Sequence, residues 1–317
     1  MSRFSQAFLR DKLDGWACLA AFGKHPAWND HIGLIGTKTE TLALLEDILY
    51  RRGIAGQIAA DKWSDPQDGP KTPLFNNRFV WGRENQQSLA GALWPSIDGK
   101  GRGHFPFVCC VQSAVNGTVA VQIYLEYVVK VGTEAREASN QAEVLGILER
   151  GGYDLNRWGP VVPTAMPWVW RSEQRPALFN ALGSLAQEAV RSDQTRQAMA
   201  ADGQHASLRL PALAERGMAN LWLYAAFLEQ FSPPPRCYLL ICSADRGAPV
   251  DCVLGEPRPD AFFCLGADLK QLPVATPPLP AALPKGCHQG IDRFLAACAS
   301  GRLPSPVRRP FWRWFVS

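Results

Sequence analysis

Little in this 317-residue sequence announces a specialised chemistry, and each thing it lacks removes a class of function. Net charge is scarce. A formal +4 at pH 7, spread over both signs, offers no basic stripe interleaved with stacking aromatics, so no nucleic-acid surface is expected. No stretch approaches the ~18 uninterrupted apolar residues of a membrane span. The segment from Met1 to Gln6 leads to no apolar signal core, which makes the cytoplasm the expected address. C-x-x-C pairs are missing as well. The nine cysteines are odd in number and mostly sit inside apolar runs, as Cys18, Cys109, Cys110, Cys237, Cys242, Cys252 and Cys264 do. That usage suits buried free thiols in a reducing compartment. The Gly-x-Ser-x-Gly of a nucleophile elbow is absent too.

What is present is an ordinary globular composition, 47% hydrophobic and 20% charged, enough for a large core. Trp16–Phe22 reads as a buried strand. Thr37-x-x-Glu40 has the form of a capping box, and Leu42, Leu45, Ile48 and Leu49 then follow at helical spacing up to Gly53. Ile54–Trp63 reads as a second short helix, and Asp65–Pro73 as an exposed loop. Arg78–Gly82, Leu89–Trp94 and Phe105–Gln112 read as strands. From Val119 to Val131 every odd position is apolar, and Asn116-Gly117 precedes the run; this predicts a hairpin, with one long helix as the alternative. Asn140-x-x-Glu143 opens a helix that the pair Gly151-Gly152 should stop.

Tyr153–Trp170, rich in proline and tryptophan, reads as an extended segment lying on the core. Pro176–Arg191 and Leu213–Phe231 read as helices, the second a core helix apolar nearly all round. Tyr238–Cys242 and Val250–Leu254 read as strands joined by Asp245-Arg246-Gly247. These elements give one domain over 1–272. Residues 273–317 then carry a proline-rich linker, a short helix over Gln289–Ala299 and a basic, aromatic tail with Trp312 and Trp314. The tail reads either as a docking element or as packing against its own core.

Chemistry concentrates in two loops. The first, Gly23 to Ile32, holds Lys24, His25, Trp28, Asp30 and His31; the second, Pro95 to Pro106, holds Asp98, Lys100, Arg102 and His104. Asp30, His31 and Asp98 could form a general-base group in a hydrolase or transferase, but without a nucleophile a bracing role for Asp30 is the simpler reading. His25 and His31 are separated by five residues with Asp30 between them, but no Cys or His pair elsewhere completes a zinc set, so neither metal nor cofactor is expected. Gly99-Lys100-Gly101-Arg102-Gly103 lacks the Ser/Thr and the following helix of a phosphate-binding loop, and reads as a tight turn between strands.

The order strand, Gly23-Lys24-x-Pro26-x-x-x-Asp30, helix, and later Pro95-Ser96-x-Asp98-x-x-Gly101-Arg102 with Pro106-Phe107, resembles the TagF (ImpM) family of type VI secretion accessory proteins. A weaker likeness continues in Leu221-Trp222 and in Gly255 to Phe262. The match spans Trp16 to Asp268 and is most specific in its first hundred residues or so. Trp28-Asn29 stands where the family usually has Arg-Gly, and Tyr153–Gln204 is long, as in a divergent member.

The resemblance implies an α/β sandwich, helices flanking a largely antiparallel or mixed central sheet. It also implies a cytoplasmic, non-catalytic repressor that works with the apparatus's forkhead-associated scaffold protein. In that reading Lys24, Trp28, Asp30, His31, Asp98 and Arg102 form the partner-binding surface. Trp28 is its apolar anchor, and Asp98 ties the loops together through Arg102 or Lys24.

Overall fold

A computed structural model of the chain describes residues 17–60, 64–65, 69–70, 75–83, 87–158, 175–198, 206–212, 217–230, 235, 237–245, 247–266 and 287–299. Eight strands form one antiparallel sheet in the order β2-β1-β7-β6-β5-β9-β10-β8. They are β1 (Ala17–Gly23), β2 (Ile32–Gly36), β5 (Asn77–Arg83), β6 (Gln87–Ser96), β7 (Phe105–Ser113), β8 (Ala206–Leu210), β9 (Cys237–Ser243) and β10 (Val250–Leu254). A separate two-residue ribbon pairs β3 (Ser64–Asp65) with β4 (Gly69–Pro70).

Strands buried on both faces read as unbroken apolar runs, and β1 shows why. Cys18, Ala20 and Phe22 enter one core, while Ala17, Leu19 and Ala21 enter the other. The first core lies under the helices that begin at Glu40. The second lies under α3 (Gly117–Ile123), α4 (Leu125–Glu137), α5 (Gln141–Trp158), α6 (Arg175–Ala198), α7 (Gly217–Glu229) and α8 (Cys287–Ala299). The architecture is thus the expected α/β sandwich, with an antiparallel sheet between helical layers. Ile291, Phe294, Leu295 and Cys298 of α8 are buried in the same core as α7, and Phe294 meets Phe227 edge-on at 5.3 Å.

Local details differ from the sequence reading. The first helix is capped by Thr39 and not Thr37: the Thr39 hydroxyl accepts from the Leu42 amide at 3.0 Å and donates to Gln112 on β7. α1 (Glu40–Leu45) runs into a π-helical stretch over Glu46–Ile54 and then α2 (Ala55–Ala59), so it does not end at Gly53. The wider π turn sets residues five apart above one another. Its sequence supplies two ion pairs at that spacing, Glu46 with Arg51 at 2.8 Å and Asp47 with Arg52.

The hairpin expected over Val119–Val131 is instead the helical pair α3 and α4. Asn116 is the helix cap, accepting from the Val119 amide at 2.9 Å, where the sequence had suggested a turn. α5 does open at Asn140, whose side chain accepts from the Glu143 amide at 3.0 Å. It passes through Gly151-Gly152 to Trp158, so Tyr153–Trp158 is helical and not extended. Gly151 is a close-approach residue: a Cβ there would lie 2.9 Å from Leu19 and 3.1 Å from Val131. β2 and β8, the two edge strands, were not anticipated. The readings for 159–170, 66–68, 71–73, 213–216, the linker 273–286 and the tail 300–317 lie outside the described residues.

Candidate functional site

The two loops meet at one end of the sheet. Loop 1 (24–31) joins β1 to β2, and loop 2 (97–104) joins β6 to β7, with Ser96 opposite Phe105. β1 and β7 are neighbours, so the loops emerge side by side. Gly23 closes the gap between them. Its φ of +119° suits glycine, and a Cβ would lie 2.2 Å from the Pro106 carbonyl, so only glycine lets the chain turn this close to β7. The Lys24 amide then donates to that same carbonyl at 3.0 Å.

Asp98 is the hub. Its Oδ1 accepts from the amides of Lys100 and Arg102, each at 3.0 Å. Its Oδ2 accepts from Arg102 Nε at 2.8 Å and Lys24 Nζ at 3.2 Å. Lys24 Nζ also donates to the Arg102 carbonyl at 3.0 Å and lies 5.4 Å from the centre of the Phe105 ring. From the rim, Arg102 Nη2 donates to the Asn29 carbonyl at 2.8 Å and sits 3.6 Å from Asp30. The Gly99 amide donates to the Trp28 carbonyl at 2.6 Å, and a Cβ at Gly99 would come within 2.8 Å of the Pro26 carbonyl. Loops 1 and 2 therefore pack backbone against backbone. Burial opposes ionisation of Asp98, but the Arg102 amide, the Lys24 ammonium, the Lys100 amide and the Arg102 guanidinium hold its carboxyl well below the ordinary value.

Two aromatic groups support loop 1 from below. His25, fully buried, accepts from the Ala27 amide through Nδ1 at 3.0 Å and donates through Nε2 to the Ala135 carbonyl at the end of α4, at 2.9 Å. Its ring lies between Trp28 and Phe107, both edge-on, at 5.5 and 5.6 Å. Those two bonds require the neutral imidazole, and burial lowers the pKa accordingly. On the other side, His31 Nδ1 pairs with the Tyr50 hydroxyl at 2.7 Å, and its ring meets Phe105 edge-on at 4.7 Å. Tyr50 comes from the π-helical stretch, which brings it under the loop. Burial and the nearby Lys24 cation lower the His31 pKa.

The predicted residues are all brought together, in two layers. Lys24 and Asp98 lie beneath the surface, Trp28 is half-buried against His25, and Asp30, His31 and Arg102 face outward. Asp98 ties the loops through both Arg102 and Lys24. His31 and Asp30 approach only to 4.0 Å. The four hydrogen bonds to Asp98 occupy both of its carboxylate oxygens, which makes that residue a poor base. Both nitrogens of His25 are engaged, and among the described residues no three His, Cys, Asp or Glu side chains gather as a metal set.

The sequence reading missed Tyr50, the bracing role of His25, and Ile97, which is 48% exposed beside Asp98. A lone isoleucine between Ser96 and Asp98, in a stretch otherwise polar or glycine as far as His104, was the available signal. Among the described residues no helix is long and apolar enough to cross a membrane. Set beside known families and curated proteins, the chain matches no family model and no curated sequence.

Proposed function

We propose that this chain is a non-catalytic accessory protein of a type VI secretion system, a TagF-like post-translational repressor that binds the apparatus's forkhead-associated scaffold protein through its paired loops. The motif residues quoted above carry the link to that apparatus. The observation that favours binding over catalysis is the state of Asp98, whose carboxylate oxygens are filled by three donors of its own loop and by Lys24 of the other. A carboxylate so engaged makes a brace and a poor base. The brace presents Arg102, Asp30, His31 and part of Trp28 as one preorganised surface, which limits the entropy lost on binding.

The test is twofold: titration calorimetry of the purified protein against the scaffold protein from the same host, and secretion by a strain lacking this chain. Measurable binding and raised secretion are expected. Absence of binding together with unchanged secretion refutes the assignment.

A further inference from the structure

Resting on the binding reading above, the geometry points to Ile97 as the side chain that enters the partner. It is an aliphatic knob for a protein surface whose small apolar pocket is bordered by carboxylates. Loop 2 leaves this side chain uncovered. Ile97 is 48% exposed, the flanking Pro95 is exposed, and Gly99, Gly101 and Gly103 add no side chains; even a Cβ added at Gly103 would only reach ordinary contact, 3.9 Å from Ile97 Cγ2. Trp28, the anchor suggested by the sequence, is turned partly inward onto His25.

The knob is also held still. The next residue, Asp98, accepts four hydrogen bonds, its amide donates to the Arg102 carbonyl at 3.2 Å, and its carbonyl accepts from the Gly101 amide at 2.8 Å. An exposed apolar side chain on a backbone anchored at the next residue, with Lys100 and Arg102 on the same loop, has the anatomy of an interface hot spot.

The rim selects the partner's charge. Lys100 is exposed, its amide is committed to Asp98, and its charge acts on Asp30 from a distance. The Arg102 side chain is 52% exposed. Against these two cations the accessible loop surface sets one carboxylate, Asp30, because Asp98 is buried against Lys24. The complement is an acidic border around an apolar recess.

The experiment places a photo-crosslinking p-benzoylphenylalanine at position 97 or, as a control, at Tyr153, an exposed aromatic on α5. Cross-linked peptides from the native host are sequenced, with and without Lys100→Glu. Position 97 should give a protein adduct whose peptide carries aliphatic residues flanked by Asp or Glu. The Lys100→Glu change should cut its yield about tenfold, and position 153 should not give it. No protein adduct at position 97, the same adduct from position 153 only, a peptide without carboxylates, or a yield indifferent to Lys100→Glu would each overturn the inference. If the adduct meets every criterion but is not the scaffold protein, the Ile97 surface stands and the scaffold-binding reading falls.

Discussion

Two carboxylates in this protein are each ringed by hydrogen-bond donors, yet they are driven in opposite directions. Asp98, at the loops, accepts from two amides and two cations and is held well below its ordinary pKa. Glu229, at the end of α7, points inward at the start of α3. It accepts from the Gly117 amide at 2.6 Å and from the hydroxyls of Thr118 and Tyr238, each at 2.5 Å, all neutral donors. Burial raises its pKa in spite of them. At Asp98 the Arg102 amide, the Lys24 ammonium, the Lys100 amide and the Arg102 guanidinium together outweigh desolvation, whereas at Glu229 burial prevails over neutral donors alone. A perturbed carboxylate is often taken as a sign of catalysis. Here one is a clamp between two loops and the other a tie between α7, α3 and β9.

Removing the cation should give the largest effect. Lys24→Met strips its charge-assisted hydrogen bonds to Asp98 and to the Arg102 carbonyl and leaves Arg102 as the one cation on Asp98, at a cost of about 3 kcal/mol in urea unfolding. It should also loosen loop 2, seen as faster amide exchange at Lys100 and Arg102. Trp28→Ala comes next, at about 2 kcal/mol for a half-buried indole. A calorimetric melting temperature that stays unchanged would mean that the ring is free surface and not part of the footing under loop 1.

The third prediction sharpens the contrast through pH. Glu229 has a raised folded pKa, so the stability it contributes is present below its unfolded value near 4.5 and is lost as pH rises through the folded value. Asp98 has a lowered one, so its contribution is present above 3.8 and is lost as pH falls through the folded value. Glu229→Gln should therefore flatten the decline in stability above pH 4.5, and Asp98→Asn the decline below 3.8. The smallest effect belongs to Lys100→Ala, within about 0.5 kcal/mol, because its side chain carries no part of the clamp.

The sandwich and its strands were legible because a strand buried on both faces leaves a long apolar run, as β7 does from Phe105 to Ser113. The α3–α4 region misled for a physical reason. Its odd positions are apolar, but so are Ala120, Tyr124 and Val128, and the buried set Val121, Tyr124, Leu125, Val128 and Val131 fits helical spacing. Valine content tipped the reading towards strand, and tertiary packing against β6 and β7 settled it otherwise. β2 escaped notice because Ile32-Gly33-Leu34-Ile35-Gly36 carries two glycines and is held in place mainly by its ladder with β1.

At the site, the tie between Asp98, Arg102 and Lys24 could be anticipated from charge alone. Its layering could not, since nothing local to Lys24 says that it will be covered. Glu229 did leave a trace: a single acid closing a helix that is otherwise apolar nearly all round.

The loop carboxylate is a brace that stays ionised to well below its ordinary pKa. Carbon-13 NMR of the side-chain carboxyls, followed across an acid titration of the intact chain, tests it most directly. The account predicts that the Asp98 resonance stays that of a carboxylate until well below 3.8, while Glu229 titrates above 4.5. An Asp98 carboxyl that takes up its proton at or above 3.8 would contradict the account and return that residue to the list of candidate bases.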